Sequence, residues 1–150
     1  MRAESLAFLK AIVNAPSPSG YEQRAAEVYR AYTREFADRV YTDVMGNTIA
    51  VLNEQGAPRV MFAGHMDEIG LMVTEIEKGF IRFTQVGGFD VRVLLGQEVM
   101  VHGKQTLRGI IGARPPHVLT AEEREKVIPM SDLWIDVGLP DARGKLLESL

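Results

Sequence analysis

His65 and Asp67 stand two positions apart at the end of the apolar run Arg59-Val-Met-Phe-Ala-Gly-His-Met-Asp-Glu-Ile-Gly70, and that spacing suits a metal site. In extended backbone, residues i and i+2 point to the same face roughly 6–7 Å apart, so Asp67 can accept the second ring N–H of His65. Such a carboxylate fixes the tautomer of a metal-ligating imidazole and raises its basicity. His-x-Asp also arises by chance as a strand-end hydrogen bond, and spacing alone leaves both readings open. The sequence has no cysteine, which removes disulfides, thiolate catalysis and Cys-based zinc sites and leaves His, Asp and Glu as metal donors.

Other residues of chemical interest have plainer readings. His102 falls in a β-rich stretch beside Gly103, where a partly exposed, hydrogen-bonded imidazole is expected, and His117 follows Pro115-Pro116 as a loop anchor. The carboxylate pairs Glu75/Glu77 and Glu122/Glu123 are of the kind that glycosidases use. A helix N-terminus accounts for the second pair and the solvent face of a strand for the first. Ser17 and Ser19 lie in a proline-flanked turn without the Gly-x-Ser-x-Gly context of a nucleophile, and Gly87-Gly88 precedes no phosphate-loop pattern.

The elements that must position these residues follow from periodicity. Leu6, Leu9, Ile12 and Val13 recur at helical spacing and predict a helix over residues 2–14 that Pro16-Ser-Pro18 ends. Ser19-Gly-Tyr-Glu22 has the form of a capping box, opening a second helix with Ala25, Val28, Tyr29, Tyr32 and Phe36 on its apolar face and an end near Ala37. Residues 39–43 and 48–52 read as a hairpin around Val44-Met-Gly-Asn47, with Gly46 and Asn47 both able to take positive φ. Residues 60–63 are continuously apolar, which predicts a strand covered on both faces within an α/β layer. From Gly70 to about Gly112 the texture changes to short β-rich runs at 71–76, 80–84, 98–102 and 107–111, punctuated by glycine as in small barrels or sandwiches. Thr120-Ala-Glu-Glu123 is a second capping box, and residues 133–137 read as one more buried strand.

Composition bounds the rest. With 46% hydrophobic and 25% charged residues, the 150-residue chain has material for one core or two small ones. Lysine and arginine are scattered and the net charge is −3, so a nucleic-acid partner is not expected. No apolar run approaches a signal segment or a membrane span, and the cytoplasm is the expected compartment.

Six ordered segments together resemble a known family: Pro18-Ser-Gly-Tyr-Glu22, Asp43-Val-Met-Gly-Asn47, Gly64-His-Met-Asp-Glu-Ile-Gly70, Val86-Gly-Gly-Phe-Asp90, Gly109-Ile-Ile-Gly-Ala-Arg-Pro-Pro-His117 and Asp132-Leu-Trp-Ile-Asp-Val-Gly138. The chain is similar to the N-terminal part of the M42 metallo-aminopeptidases, the glutamyl- and tetrahedral-aminopeptidase group among the dinuclear zinc or cobalt exopeptidases. The resemblance implies an α/β fold, with residues 1–69 as part of a zinc-exopeptidase α/β domain and residues 70–150 as an inserted β-rich, PDZ-like or small-barrel domain. It also implies His65 as a metal ligand, Asp67 as the catalytic-site acid that orients it, two divalent metal ions in the complete site, peptide substrates, and a homo-oligomer from dimer to large closed assembly. Glu68 takes no ligand role from it, and Val86–Asp90, Arg114–His117 and Asp132–Gly138 become largely architectural.

Family members are more than twice as long, and their remaining metal ligands and general base lie beyond Leu150. The sequence is therefore expected to be a truncated N-terminal portion, inactive alone, with a helix beginning in Asp141-Ala-Arg-Gly-Lys-Leu-Leu-Glu-Ser-Leu150. Two other readings stay open: a non-catalytic assembly or dimerisation module, and a glycoside hydrolase.

Overall fold

The computed structural model describes residues 1–138, so the helix expected within residues 141–150 lies outside the described residues. The chain divides into two compact units, Met1–Gly70 and the residues from Leu71 onward.

In the first unit, helix α1 spans Ala3–Val13 and helix α2 spans Gln23–Thr33. The face of α1 that meets α2 carries Phe8, outside the expected set: Phe8 stacks on Tyr32 at 4.1 Å between ring centroids and Phe36 meets Tyr32 edge-on at 5.5 Å, while Leu6, Leu9 and Val13 of that set are exposed. Strands β1 (Arg39–Thr42) and β2 (Thr48–Val51) form the expected antiparallel hairpin, with Arg39 opposite Val51 and Thr42 opposite Thr48, and α2 packs against it. At its turn Gly46 takes φ 90°, but Asn47 does not share the positive φ expected of it. Asp43 holds Asn47 instead, accepting from its backbone N–H at 2.9 Å and from its side-chain amide at 2.8 Å.

Two expectations for this unit are corrected. Residues 60–63 form no strand, and Val60, Met61 and Phe62 are 72%, 86% and 95% exposed. A strand exists only through its neighbours' hydrogen bonds, and among the described residues β2 pairs with β1 while no ladder reaches this segment. The box at Ser19–Glu22 does not form either. Gly20 turns the chain at φ 92°, Glu22 accepts from the Gly20 N–H at 2.6 Å, and α2 starts three residues later than a Ser19 cap requires.

The second unit is built on strands β3 (Gly70–Glu77), β4 (Phe80–Val86), β5 (Glu98–His102), β6 (Thr106–Ala113) and β7 (Leu133–Asp136). Their order in the sheet is β3-β4-β7-β6-β5, so β7, the last of the described strands in the chain, lies between β4 and β6. The registered pairs β4–β7, β6–β7 and β5–β6 are antiparallel. The β3–β4 turn is Lys78-Gly79, both at positive φ (51° and 87°), the two-residue geometry whose twist suits a hairpin. Alternation along the strands sends Ile81, Phe83, Val101, Ile111, Leu133 and Ile135 inward, where they form one core with Leu94. Gly109 makes room for that core, since a Cβ there would stand 2.3 Å from Ile135 Cγ2.

Helix α3 (Ala121–Glu125) opens with the expected box: the Thr120 hydroxyl accepts from the Glu123 N–H, and Glu123 reaches back to the Thr120 N–H at 2.8 Å. Arg114 then ties Glu123 at 3.1 Å to Asp132 at 3.3 Å, an architectural use of a motif arginine. No helix among the described residues is long and apolar enough to cross a membrane.

Candidate functional site

The site is built where the Ser17–Ser19 segment meets Asp67 and Glu68. Pro16 and Pro18 carry no N–H, so Ser17 and Ser19 hold the donors of that stretch, and both are used. The Ser17 N–H donates to Glu68 Oε1 at 2.9 Å, and the Ser19 N–H to the Glu68 carbonyl at 3.3 Å. The Glu68 N–H returns to the Ser17 carbonyl at 2.9 Å, closing a parallel bridge between Pro18 and Glu68. Gly70 allows the close approach, because a Cβ there would stand 2.8 Å from Pro18 Cβ. Glu68 is thus a clamp on the backbone of the serine segment, with Ser17 buried beneath it.

That clamp fixes the chain immediately after the His65–Asp67 pair. His65 Nδ1 lies 3.0 Å from Asp67 Oδ1 and equally close to the Asp67 carbonyl oxygen. The other carboxylate oxygen, Oδ2, accepts from the Ser19 hydroxyl at 2.6 Å. The Ser19 hydroxyl holds the Asp67 carboxyl below the ordinary carboxylate range, burial opposes this, and the hydrogen bond from His65 adds to it. An ionised Asp67 offers acceptors alone, so the ring proton of a neutral His65 sits on Nδ1 and the lone pair on Nε2. The His65 side chain is 85% exposed.

The arrangement suits one corner of a metal site: an imidazole oriented by a carboxylate, with its free nitrogen open. It is not a complete site. Among the described residues no three His, Asp or Glu side chains come together in a metal-holding group. His102 is exposed on β5, with Nδ1 3.4 Å from Thr106 Oγ1, and His117 is exposed in a short turn at Pro116–Val118. The carboxylate pairs are engaged elsewhere. Glu77 receives Arg82 at 3.0 Å, Glu122 pairs with Lys126, Glu123 serves the α3 cap and Arg114, and Glu75 is exposed on β3.

Ser19 is the residue that sequence reasoning missed, because its hydroxyl read as a helix cap. Gly20 beside it was the available signal, since a positive φ at that point displaces the helix start and frees the hydroxyl. Nothing local points from Ser19 to Asp67, 48 residues away.

The family model for M42 glutamyl aminopeptidase matches residues 46–145 of the chain. A lysyl aminopeptidase of Pyrococcus furiosus is 35% identical over 135 residues, covering 87% of this chain and 39% of the relative. A TET aminopeptidase from a marine-sediment thaumarchaeote is similar in structure, with a TM-score of 0.90 and 33% identity over 98% of this chain and 42% of that one. The Pyrococcus horikoshii TET1 peptidase, which can assemble into a tetrahedron or a large octahedral shell, gives a TM-score of 0.78 and 42% identity over 95% of this chain and 43% of its own. The chain thus spans about two fifths of the length of these relatives. On the family match and these likenesses, the chain belongs to the M42 glutamyl aminopeptidase family.

Proposed function

We propose that this chain is the N-terminal part of a cytoplasmic metal-dependent aminopeptidase that removes N-terminal residues from peptides, with His65 a metal ligand through Nε2 and Asp67 its orienting acid. The observation that carries this reading is the 3.0 Å contact from His65 Nδ1 to Asp67 Oδ1, which leaves Nε2 free on an exposed side chain. Asp67 holds the proton on Nδ1 and makes Nε2 a better donor. When bound, two zinc or cobalt ions supply an activated water and polarise the scissile carbonyl. His65 is one donor of such a set, so the chain alone is inactive and needs the remaining ligands and a general base. The residues from about 70 onward act as an inserted PDZ-like or small-barrel domain that takes part in homo-oligomer assembly, a reading supported by its self-contained core and by the likeness to TET1.

The test is a chimera in which this sequence replaces the matching segment of the P. furiosus lysyl aminopeptidase, assayed for metal content and for hydrolysis of aminoacyl p-nitroanilides. The chimera is expected to be active, and to lose both bound metal and activity on His65→Ala. A His65→Ala chimera that keeps both overturns the assignment.

The second reading is a non-catalytic assembly module, supported by the likeness to the TET1 peptidase, which can assemble into large shells. Sedimentation of the purified chain separates the two, since a module assembles without stoichiometric metal. Of the carboxylates weighed for a glycoside hydrolase, Glu77, Glu122 and Glu123 are engaged in ion pairs.

A further inference from the structure

We infer that Ser19 is a positioning residue for the His65 corner: its hydroxyl holds the Asp67 carboxylate in the orientation that keeps the His65 proton on Nδ1 and the lone pair on Nε2. This rests on the reading of His65 as metal-facing, and it adds a residue that acts through Asp67.

A carboxylate turns over a broad, roughly two-fold torsion, and its two oxygens are equivalent until something engages one of them. Residues 61–67 carry no strand ladder, His65 is exposed and Asp67 is half-buried, so the hydrogen bonds to its oxygens are what distinguish one carboxylate orientation from the other. At 2.6 Å the Ser19 hydroxyl makes a charge-assisted bond to Oδ2, which leaves Oδ1 facing the imidazole at 3.0 Å.

Ser19 is itself held from three directions. Its N–H bonds the Glu68 carbonyl, the neighbouring Ser17 is clamped by Glu68 through its N–H and its carbonyl, and Gly70 lets Pro18 sit close beneath. Gly20, at φ 92°, turns the chain so that α2 begins at Gln23 without a side-chain cap. The hydroxyl is therefore free for Asp67 instead of being spent on a helix N–H. The tautomer at stake is the less common one, since a free histidine side chain favours the proton on Nε2. Ser19 acts on that balance through Asp67, without touching the imidazole.

The experiment reads the His65 tautomer directly. Two-bond nitrogen–proton NMR correlations are recorded on the metal-free, 15N-labelled 150-residue chain at mildly alkaline pH, with His65 identified among the three histidines by its loss in His65→Gln. The wild-type chain and Ser19→Thr are expected to show the Nδ1–H form, and Ser19→Ala, in which the Asp67 carbonyl at 3.0 Å still accepts from Nδ1, to shift population towards Nε2–H with other backbone amides in place. Ser19→Cys, with a weaker donor of similar size, is expected to fall between, and it serves as the second variant if the alanine chain does not fold. A wild-type His65 in the Nε2–H form overturns the inference with no variant needed. So does a folded Ser19→Ala or Ser19→Cys chain that retains the wild-type tautomer population.

Cobalt added to the same samples distinguishes this inference from the functional reading. If His65 keeps a Ser19-dependent Nδ1–H tautomer while cobalt leaves its signals unbroadened, the role of Ser19 stands and the metal assignment falls. If cobalt broadens His65, the wild-type chain is expected to bind more tightly than Ser19→Ala by less than about tenfold, since Ser19 acts one step further from the metal than Asp67, the ligand's own hydrogen-bond partner.

Discussion

The two units differ in how they hold themselves together. From Leu71 onward, seven buried apolar side chains from four strands and one short turn form a single core, with Ile81, Ile111 and Leu133 almost wholly enclosed. In Met1–Gly70 the buried apolar residues are Ala25 and Ala26, while Val60, Met61 and Phe62 stand in the open beside the site. A half-buried antiparallel strand needs cover on one face, and alternation supplies it from nearby hairpins. A continuously apolar strand needs cover on both faces and partners along both edges, and the described residues of the first unit provide neither to residues 60–63. The candidate site therefore rests on polar bonds among Ser17, Ser19, Asp67 and Glu68, where the β-rich unit relies on packing.

Deleting packing should separate the units most sharply. Ile81→Ala is expected to cost the β-rich unit about 2–5 kcal/mol, through lost burial and the cavity left behind, read by urea unfolding with the single tryptophan, Trp134, as reporter. A cost below 1 kcal/mol, on the order of a surface change, breaks the comparison. Overfilling the same core tests it from the other side: Gly109→Ala drives a methyl against Ile135 and should cost about 1–3 kcal/mol in the same assay.

A smaller effect is expected at acid pH. Arg92 beside Asp90 holds the Asp90 carboxyl well below its usual range, at about 2 instead of 3.8. A carboxyl whose folded pKa is depressed contributes stability above its unfolded pKa and loses it as pH falls through the folded one. The contribution should thus be complete above about pH 4 and fade towards pH 2. Asp90→Asn should flatten that limb of a stability–pH curve, and an unchanged limb assigns the acid response to other carboxyls. The smallest effect belongs to the open unit. Phe62→Ala, at a side chain 95% exposed, should change the stability of the chain by less than about 0.5 kcal/mol in urea unfolding followed by circular dichroism. A larger loss means that Phe62 is covered in solution and brings the two units closer in character.

Much of this was legible in residue order. The α1 and α2 helices, the β1–β2 hairpin, the Thr120–Glu123 box and the strand runs of the β-rich unit are written in local pattern, and each forms near its expected place, though Leu6, Leu9 and Val13 of the expected α1 face are exposed. Family membership was legible for a related reason, because six short segments keep their order and spacing. The His65–Asp67 contact was legible too, because the two residues stand two positions apart.

Tertiary structure decided the rest. It placed β7 between β4 and β6, sent the Ser19 hydroxyl to Asp67 instead of a helix end, and left residues 60–63 without a ladder. In each case the deciding partner lies far along the chain or is missing among the described residues. Local pattern states what a residue is able to do, whether cap, pair or bury. Which of those it does depends on the groups that the closed chain brings within about 3 Å, the reach of a hydrogen bond.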